Sequence, residues 1–475
     1  MPSFKLLING KMVPGAHSLD VINPATEALA GTCSRASELQ LDEAVDAAEA
    51  AFAGWTATPL EERRQAILKL ADIVMANAAE LGAILTREQG KPLSEATAEA
   101  YGFGVFTKHF AAMDLPVEVL EDSEVRRVEV HRTSLGVVAA IVPWNFPLVL
   151  LAFKLGPALL AGNTLVVKPA PTTPLATLRL AELVQDSLPP GVLNVIADAN
   201  DLGSKLSVHP KIRKVSFTGS TATGVKVMAG AAGTLKRITL EMGGNDAGLV
   251  LGDVDPKAIA PKIFAAAFPN NGQVCIAMKR VYAHEDIYDA LCDELATLAK
   301  SKKIGDGTEE GVELGPLQNK AQYEKVQEIL ADAAQKGTII AGGGVPDRPG
   351  YFIEPTIVRD IEEGARLVDE EQFGPVLPVI KFSDPEDALA RANRTPEGLG
   401  GSVWSADTEA ARALAVRLDA GTVWVNQHAD LDPGIPFSGA KQSGIGTELG
   451  REGLEEFTQR KVINISRKAE TFEQS

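Results

Sequence analysis

Short apolar segments alternate with stretches of helical periodicity between residues 136 and 241, and this alternation constrains the fold more than any other feature. The mostly apolar segments predict strands at 136–143, 164–169, 192–197, 215–218 and 237–241. Strands that are apolar on both faces predict a parallel sheet covered by helices on either side. Such a sheet binds its ligands at the carboxyl ends of the strands. We therefore expect an α/β fold whose functional site lies where these strands end.

A second α/β segment is predicted from residue 244 to residue 442. Its strands are expected at 280–283, 352–358, 376–382, 401–404 and 422–425. Upstream of the first sheet, Ser37 is predicted to cap a helix, and one longer helix is expected over 60–85. The alternating charged segment 113–131 predicts an exposed hairpin, and 459–467 predicts one further strand. The length of 475 residues predicts about three domains, or two large ones, and is ample to bury a core.

Composition excludes several classes of protein. The chain carries 63 acidic and 46 basic residues, whereas a nucleic-acid-binding protein normally shows a basic excess or stripe. No apolar segment is long enough to span a bilayer, and no leader is predicted at the N-terminus. The three cysteines are too few for a disulfide scaffold, which favours the reducing cytoplasm. No CxxC motif or ligand-spaced histidine pair occurs, so no metal site is predicted.

Polar residues stand at the ends of four strands of the first predicted sheet. Asn145 could donate an amide N–H to an oxyanion, and Lys168 could contact a ribose or a phosphate. Gly219 and Ser220 close a strand and open a helix, whose N-terminus favours phosphate. Glu241 ends a buried strand, where burial raises a carboxyl pKa towards that of a general base. Each has an ordinary alternative: a turn residue, a solvated charge, a plain strand-to-helix turn, and a helix N-cap or surface salt bridge, respectively.

Cys275 is the cysteine whose sequence context suggests a reactive thiol. It closes the segment GQVC at 272–275, and the Asn-Gly pair at 271–272 predicts a turn that would expose the sulfur. The alternative is that Cys275 is a small buried apolar residue, as lone cysteines commonly are. Cys33 and Cys292 lie in a strand-like and a helical segment without such a turn.

Six motifs resemble those of the NAD(P)-dependent aldehyde dehydrogenase superfamily, in the order in which that superfamily carries them. The resemblance is strongest to bacterial members and covers nearly the whole chain, from NPAT at 23–26 to KQSG at 441–444. The motifs are PWNFP (143–147), KPA (168–170), FTGS (217–220), LEMGG (240–244), GQVC (272–275) and EEQFGP (370–375).

The resemblance implies a role for each matching residue. Cys275 corresponds to the catalytic thiol, Glu241 to the general base, Asn145 to the oxyanion donor, and Lys154 to a lysine that assists proton movement. The positions implied for cofactor binding are Val142, Pro143, Trp144, Lys168, Ala170, Pro171, Gly219, Ser220, Met242, Glu371 and Phe373. Within that set, the implied contacts are the adenosine ribose for Lys168, the pyrophosphate for Ser220 and the nicotinamide ribose for Glu371.

The implied architecture is that of the aldehyde dehydrogenases, with two doubly wound α/β domains and a β-arm for oligomerisation. The cofactor-binding domain would comprise 1–112 and 132–243, the catalytic domain 244–442, and the arm 113–131 and 459–467. The arm implies a homodimer or a homotetramer.

Three positions depart from the family pattern. Pro171 replaces a glutamate that is common there, Ser438 replaces a glycine, and Met242 replaces a leucine. A glutamate at position 171 would repel the 2′-phosphate of NADP and accept hydrogen bonds from the ribose of NAD. Because proline does neither, we expect the use of both NAD and NADP, with a slight preference for NAD.

The resemblance implies oxidation of an aldehyde to its carboxylic acid through a thiohemiacetal and a thioester on Cys275. By position the substrate pocket would be lined by Phe146, Leu150, Phe153, Val274, Ile276, His428 and Phe437. This mostly apolar set favours an aromatic or medium aliphatic aldehyde as the small-molecule substrate. One alternative is a semialdehyde or aminoaldehyde substrate. Others are acyl transfer to coenzyme A, which Glu241 argues against, and a non-catalytic scaffold protein, which the intact set Cys275, Glu241 and Asn145 argues against.

Overall fold

The first four helices lie in the N-terminal part of the chain, and the other helices alternate with the strands of the two large sheets. The structure is a computed structural model that describes residues 4–467. Residues 1–3 and 468–475 lie outside that range. The prediction that the N-terminus carries no leader concerns residues that include the first three. The helices are α1 (Glu38–Ala57), α2 (Leu60–Ala76), α3 (Ala78–Gln89), α4 (Leu93–Ala111), α5 (Pro147–Leu160), α6 (Leu175–Val184), α7 (Gly203–Val208), α8 (Thr221–Ala232), α9 (Pro256–Ala267), α10 (Glu285–Ser301), α11 (Lys320–Lys336), α12 (Arg366–Asp369), α13 (Pro385–Ala392), α14 (Thr408–Ala415) and α15 (Gly450–Glu455).

The strands form two large sheets, a three-stranded sheet and two short ribbons. They are β1 (Leu6–Ile8), β2 (Lys11–Val13), β3 (His17–Ile22), β4 (Leu29–Arg35), β5 (Glu118–Asp122), β6 (Arg126–Ser134), β7 (Val137–Ile141), β8 (Thr164–Lys168), β9 (Leu193–Val195), β10 (Ile212–Thr218), β11 (Arg237–Glu241), β12 (Ala247–Val250), β13 (Arg280–His284), β14 (Thr338–Ala341), β15 (Thr356–Arg359), β16 (Val376–Phe382), β17 (Glu397–Gly398), β18 (Gly400–Trp404), β19 (Thr422–Val425), β20 (Ala440–Lys441), β21 (Gly444–Ile445) and β22 (Thr458–Ser466).

The helix α1 begins where the sequence predicts a capped helix. The Ser37 hydroxyl accepts the N–H of Gln40, and the Gln40 side chain accepts the N–H of Ser37, which together form a capping box. Leu41, Val45 and Trp55 are buried on one face of the helix, which packs against β8 and β9. The predicted cap at Ser37 is therefore confirmed.

The single helix expected over 60–85 is wrong, because the structure has α2 and α3 there. Asn77, between them, leaves the helical conformation with φ −108° and ψ 16°. Its side-chain amide donates to the carbonyl of Ile73 at 2.7 Å and satisfies an acceptor at the end of α2. Both helices bury apolar faces, so the apolar spacing continues across the break and does not reveal it.

The predicted parallel sheet is confirmed as the centre of an eight-stranded sheet. The strand order is β2-β1-β9-β8-β7-β10-β11-β21, and the five strands from β9 to β11 run parallel. β7 and β8 are buried along their whole length. Ile141 pairs with Lys168, and Thr218 pairs with Glu241, so four strands end at the same edge of the sheet.

The second α/β segment forms a seven-stranded sheet with the order β14-β15-β16-β13-β12-β18-β19. Its strands run parallel except for the outer pair β14–β15. The strand expected over 352–358 begins later, at Thr356, because Pro355 has no N–H to donate to a neighbouring strand. Phe352 and Ile353 are buried outside the sheet instead.

The hairpin β5–β6 and the strand β22 form a separate three-stranded sheet, as predicted. β22 pairs antiparallel with β6 over nine residue pairs, from Thr458 opposite Ser134 to Ser466 opposite Arg126. β22 is an edge strand, and Val462 on it is 61% exposed. The predicted division of the chain into domains stays a prediction, and the first large sheet also takes in β21, beyond residue 442.

The largest apolar core lies around the first sheet and the helices α1 to α6. The second sheet has a core on each side. Within residues 4–467, none of the helices combines the length and the apolar character that crossing a membrane requires.

Candidate active site

The carboxyl ends of the first sheet open into a cleft of about 590 Å³. Eight of the residues predicted for cofactor binding line it: Val142, Pro143, Trp144, Lys168, Ala170, Pro171, Gly219 and Ser220. They come together because β7, β8 and β10 are parallel and the segments that follow them leave the sheet at one edge. Lys226, Asn200 and Ser204 also line the cleft, although the sequence motifs did not single them out.

The helix α8 begins at the floor of this cleft, directly after Ser220. The Ser220 hydroxyl bonds to the Thr223 hydroxyl at 3.0 Å and does not cap a backbone N–H of the helix. The first N–H groups of a helix have no partner within the helix and carry its positive dipole end. The N-terminus of α8 is therefore suited to hold a phosphate group.

Cys275 lines a second cavity, of about 200 Å³, which adjoins the cleft. Glu371, Phe373, Met242 and Asn145 line it as well. The two cavities share wall residues, namely Pro143, Trp144, Thr218, Gly219 and Ser220. The thiol and the edge of the sheet where β7, β8 and β10 end therefore belong to one continuous site.

A strained turn holds Cys275 at this cavity. Asn270, Asn271 and Gly272 all adopt left-handed conformations, with φ of 47°, 56° and 75°. A Cβ atom at Gly272 would collide with the carbonyl of Gly374, so the chain needs glycine there. Left-handed residues other than glycine are costly and persist where the surrounding structure fixes them. The alternative that Cys275 is an ordinary core residue does not describe this half-buried position.

Asn145 is fixed beside the turn that precedes Cys275 by three hydrogen bonds. Its side-chain Nδ2 donates to the carbonyl of Gln273 at 3.1 Å. Its backbone carbonyl accepts from Nζ of Lys91 at 2.8 Å and from Nδ2 of Asn270 at 3.1 Å. One N–H of the Asn145 amide is thus used for positioning, and an amide has a second N–H to offer a ligand.

Glu241 is buried at the end of β11 and lines neither of the two cavities described above, whereas the next residue, Met242, lines the second. Within residues 4–467, neither of its carboxyl oxygens has a hydrogen-bond partner. Burial raises the pKa of Glu241 well above its usual value, the nearby Glu448 raises it further, and Lys154 lowers it. Nζ of Lys154 forms an ion pair with Glu448 and donates to Oγ1 of Thr218 at 2.7 Å. The alternatives of an N-cap and a surface salt bridge are therefore wrong for Glu241.

Glu371 and Phe373 lie on the loop before β16 and close the other side of the cavity. Oε1 of Glu371 accepts the N–H of Gly244 at 3.1 Å, which ties this loop to the end of the first sheet. The ring of Phe373 meets the ring of Trp144 edge-on, with centroids 5.4 Å apart. The two aromatic rings and the carboxylate face the same cavity as the Cys275 thiol.

The sequence profile of the aldehyde dehydrogenase family matches residues 12–463. The chain belongs to the aldehyde dehydrogenase family. A putative aldehyde dehydrogenase of Gibberella fujikuroi is 38% identical over 460 residues, which cover 97% of this chain and 98% of the relative. The phenylacetaldehyde dehydrogenase of Pseudomonas fluorescens is 39% identical over 481 residues, covering 97% and 96%. The NAD+ complex of an aldehyde dehydrogenase from Bacillus cereus superposes with a TM-score of 0.95 at 34% identity, covering 98% and 97%.

The residues predicted for the substrate pocket of this aldehyde dehydrogenase fall into two groups, six apolar residues and His428. Six of them belong to the apolar cluster that also contacts Cys275: Phe146, Leu150, Phe153, Val274, Ile276 and Phe437. The side chain of His428 is inaccessible to solvent. Its Nδ1 bonds to the Ser402 hydroxyl and its Nε2 to the carbonyl of Ile276, both at 2.9 Å. Burial lowers the pKa of His428 to about 3, so its ring is neutral and supports the turn after Cys275.

Several buried charges of the site were not predicted from the sequence. Asp198 accepts from Nζ of Lys168 at 2.7 Å, Glu448 pairs with Lys154, and Lys91 pairs with Glu99. Asp198 follows β9, the neighbour of β8, so its place after a strand of the same sheet was a signal that could have found it. Within the described part of the chain, no group of three or more potential metal ligands lies together.

Proposed function

We propose that this enzyme oxidises an aldehyde to its carboxylate with NAD or NADP, through a covalent thioester on Cys275. The observation that carries the proposal is the continuity of the two cavities, because the one that Cys275 lines opens into the cleft at the strand ends. A substrate carbon bound to the sulfur would therefore face a dinucleotide in the cleft.

The residues of the cleft fit a dinucleotide. The N-terminus of α8 after Ser220 would hold the pyrophosphate, Lys168 would contact the adenosine ribose, and Glu371 the nicotinamide ribose. A side chain at position 243 would collide with the Glu371 carboxylate, so Gly243 keeps that part of the cavity open. When bound, the cofactor accepts the hydride that leaves the substrate carbon.

Acylation of the enzyme follows from the positions of Cys275 and Asn145. The sulfur forms a bond to the carbonyl carbon of the aldehyde, while the thiol proton leaves to a neighbouring base. The free N–H of the Asn145 amide is placed to stabilise the oxyanion that forms, since Gln273 holds the other. Loss of a hydride from the same carbon converts the thiohemiacetal into a thioester.

Hydrolysis of the thioester requires a base, and Glu241 suits this role. Its buried carboxyl has a raised pKa, which matches the proton affinity that a general base needs near neutral pH. Glu241 would remove a proton from water, whose oxygen adds to the thioester carbon. The C–S bond then breaks and releases the Cys275 thiolate and the carboxylic acid product, which loses its proton to solvent. Lys154, bonded to Glu448 and Thr218, would carry the proton onward from Glu241.

The preferred substrate class is an aromatic or medium aliphatic aldehyde. The ring of Phe153 packs against the ring of Phe106, with centroids 4.8 Å apart, in the apolar cluster next to Cys275. A cationic or anionic aldehyde would leave its charge unpaired against this surface. The name of the phenylacetaldehyde dehydrogenase, 39% identical to this chain, supports the same class.

Cofactor choice depends on the adenosine end of the cleft. The ammonium of Lys168 is already paired with the buried Asp198, so the pair presents little net charge to a ribose or a phosphate. Pro171 contributes no carboxylate, and among the residues that line the described cleft none is acidic. We therefore infer that both NAD and NADP bind, with a slight preference for NAD.

We also propose that β22 adds to a sheet of a second copy of this chain, which makes a homodimer or homotetramer. The strand is long, lies at an edge, and exposes Val462 and Ile465, 61% and 44% accessible. Such an edge normally has a partner strand. The three cysteines are all unpaired, which suits the reducing cytoplasm as its compartment.

The experiment that tests the function follows absorbance of the reduced cofactor over a panel of aromatic, aliphatic, amino- and carboxy-aldehydes, with and without coenzyme A. We expect oxidation without coenzyme A and the highest kcat/KM with apolar aldehydes. Cys275→Ala should abolish oxidation but retain cofactor binding, with Cys292→Ala as the matched control. Activity that persists in Cys275→Ala, or that requires coenzyme A, would contradict the proposal.

A further inference from the structure

Lys279 is a buried lysine next to the reacting thiol that the proposed mechanism does not use. It follows Cys275 by four residues, and its side chain is 2% exposed. Nζ donates to the carbonyl of Val274 at 2.7 Å and to the carbonyl of Cys275 at 2.8 Å. The same atom lies 3.5 Å from Oε1 of Glu371. These acceptors match the three N–H donors of an ammonium group.

The contacts of Lys279 join two loops that carry different parts of the site. One is the turn that presents Cys275, and the other is the loop on which Glu371 faces the cofactor side of the cavity. The backbone of Lys279 extends this link, because its N–H donates to the carbonyl of Asp246 and its carbonyl accepts from Gln372. Nζ of Lys279 thus contacts acceptors on both loops, the carbonyls of Val274 and Cys275 on one and the carboxylate of Glu371 on the other.

The charge of Lys279 opposes the other charges that face the thiol. These are the carboxyls of Glu371, Asp246 and Glu241, all of which raise the pKa of Cys275. Burial is the largest cause and raises this pKa to about 12, whereas Lys279 lowers it. Among the charged groups with the largest effects on the pKa of Cys275, Lys279 is the one whose charge favours the thiolate.

We propose that Lys279 is a positioning residue that holds the turn of Cys275 and stabilises the thiolate by its charge. The inference rests on the proposed role of Cys275 as the nucleophile. It assigns to Lys279 two separable effects, a tether through hydrogen bonds to two carbonyls and an electrostatic effect on the sulfur. The thiolate is the reactive form of a cysteine, so both effects act on the first step of the reaction.

Alkylation of Cys275 by iodoacetamide tests this without cofactor, aldehyde or turnover. The rate would be measured on the whole protein from about pH 6 to about pH 10, by mass spectrometry of the peptide that contains Cys275. Lys279→Met keeps the length of the side chain but removes its charge and donors. We expect alkylation about tenfold slower than wild type at a given pH below about 9, as for a one-unit rise in the thiol pKa. Lys214→Met, which removes another buried ammonium, should leave the rate unchanged.

Three further variants separate charge from folding. Lys279→Arg keeps the charge and should retain most of the wild-type rate. Lys279→Gln keeps a donor without the charge and should be as slow as Lys279→Met. Glu371→Gln removes a carboxylate that faces both Lys279 and the thiol, so it should increase the alkylation rate. This change is opposite in direction to that of Lys279→Met, and it can be measured even if Lys279→Met does not fold. Circular dichroism checks the fold of each variant.

The outcomes distinguish this inference from the function on which it rests. A wild-type alkylation profile in Lys279→Met or Lys279→Gln would overturn the proposal for Lys279. Dehydrogenase activity in Cys275→Ala would refute the nucleophile instead, while the alkylation rates would still show whether Lys279 acts on this thiol.

Discussion

Replacement of Pro171 by glutamate should make the enzyme reject NADP. Pro171 lines the cleft together with Lys168, Asn200 and Ser204, where we propose that the adenosine ribose binds. A glutamate there would place a carboxylate beside the position of the ribose 2′ substituent. With NAD this carboxylate can accept a hydrogen bond from the 2′-hydroxyl, whereas with NADP it faces a phosphate of the same sign.

The magnitude follows from the charges and the solvent exposure of the cleft. Two unit charges about 4 Å apart interact by about 1 kcal/mol in water and by about 4 kcal/mol near a protein surface. Since about 1.4 kcal/mol corresponds to a factor of ten, kcat/KM for NADP should fall by about fivefold to about a thousandfold. Pro171 is half-buried in an open cleft, so we expect a value near about tenfold, smaller at high salt. The hydrogen bond to NAD is worth about 0.5–1.5 kcal/mol, so NAD use should hold or improve.

The assay is kcat/KM for both cofactors with one good aldehyde, in wild type, Pro171→Glu and Pro171→Gln. The glutamine variant has the shape of the glutamate variant without its charge, and should change the NADP to NAD ratio little. Asp198→Asn should move the ratio the other way, because it releases the ammonium of Lys168 from its ion pair. The reasoning is refuted if the wild type already rejects NADP by several hundredfold, if Pro171→Glu leaves the ratio unchanged, or if Pro171→Gln reproduces it.

Four other perturbations have expected outcomes. Glu241→Gln should give one burst of reduced cofactor and an acylated Cys275 peptide, with steady-state turnover lower by about 10²–10⁴-fold; normal turnover would contradict the base role. Because the folded enzyme has a raised Glu241 pKa, wild-type turnover should fall as the pH drops through that raised value and the carboxyl is protonated, and Glu241→Gln should lose this dependence. Lys91→Met leaves the carboxylate of Glu99 buried without its ion-pair partner and should lower the free energy of unfolding by about 3–5 kcal/mol. The double variant Lys91→Met, Glu99→Gln should regain part of this stability. Urea denaturation measures both effects. Lysine at both Val462 and Ile465 should convert the oligomer to monomers in analytical ultracentrifugation, and an unchanged mass would exclude β22 as the interface.

The fold was predictable from the sequence where one pattern dominates. β7 and β8 are apolar on both faces, and a segment of this kind has few places in a protein other than the middle of a parallel sheet. The prediction failed where two patterns coincide. The apolar spacing runs through Asn77 although the helix does not, and the apolar residues before Thr356 are buried without joining a strand. The pattern of buried residues does not reveal where the helix ends or where the strand begins, because backbone hydrogen bonding sets both boundaries.

The site was predictable as a set of strand ends but not as a network of charges. The sequence places Asn145, Lys168 and Glu241 after parallel strands, and parallel strands end at one edge. The charged groups that surround these strand ends come from other parts of the chain. Glu448, for example, follows Lys154 by 294 residues, and neither residue carries a local signal for the other. Likewise, no signal in the sequence indicates that Ser402 and Ile276 engage the ring of His428, which was predicted for the substrate pocket.

Four buried lysines link this network to the reaction. Nζ of Lys91, Lys154, Lys168 and Lys279 each bonds to an oxygen of the protein, either a carboxylate or a backbone carbonyl. An ammonium group without such partners is costly to bury, so these charges take their places when the chain folds, before any ligand arrives. Charges that are already oriented need no rearrangement when negative charge develops on the sulfur and on the carbonyl oxygen of the substrate. It follows that neutral replacements of Lys154 and Lys279 should lower kcat more than they raise KM for the aldehyde, since neither residue lines the cavity that holds Cys275.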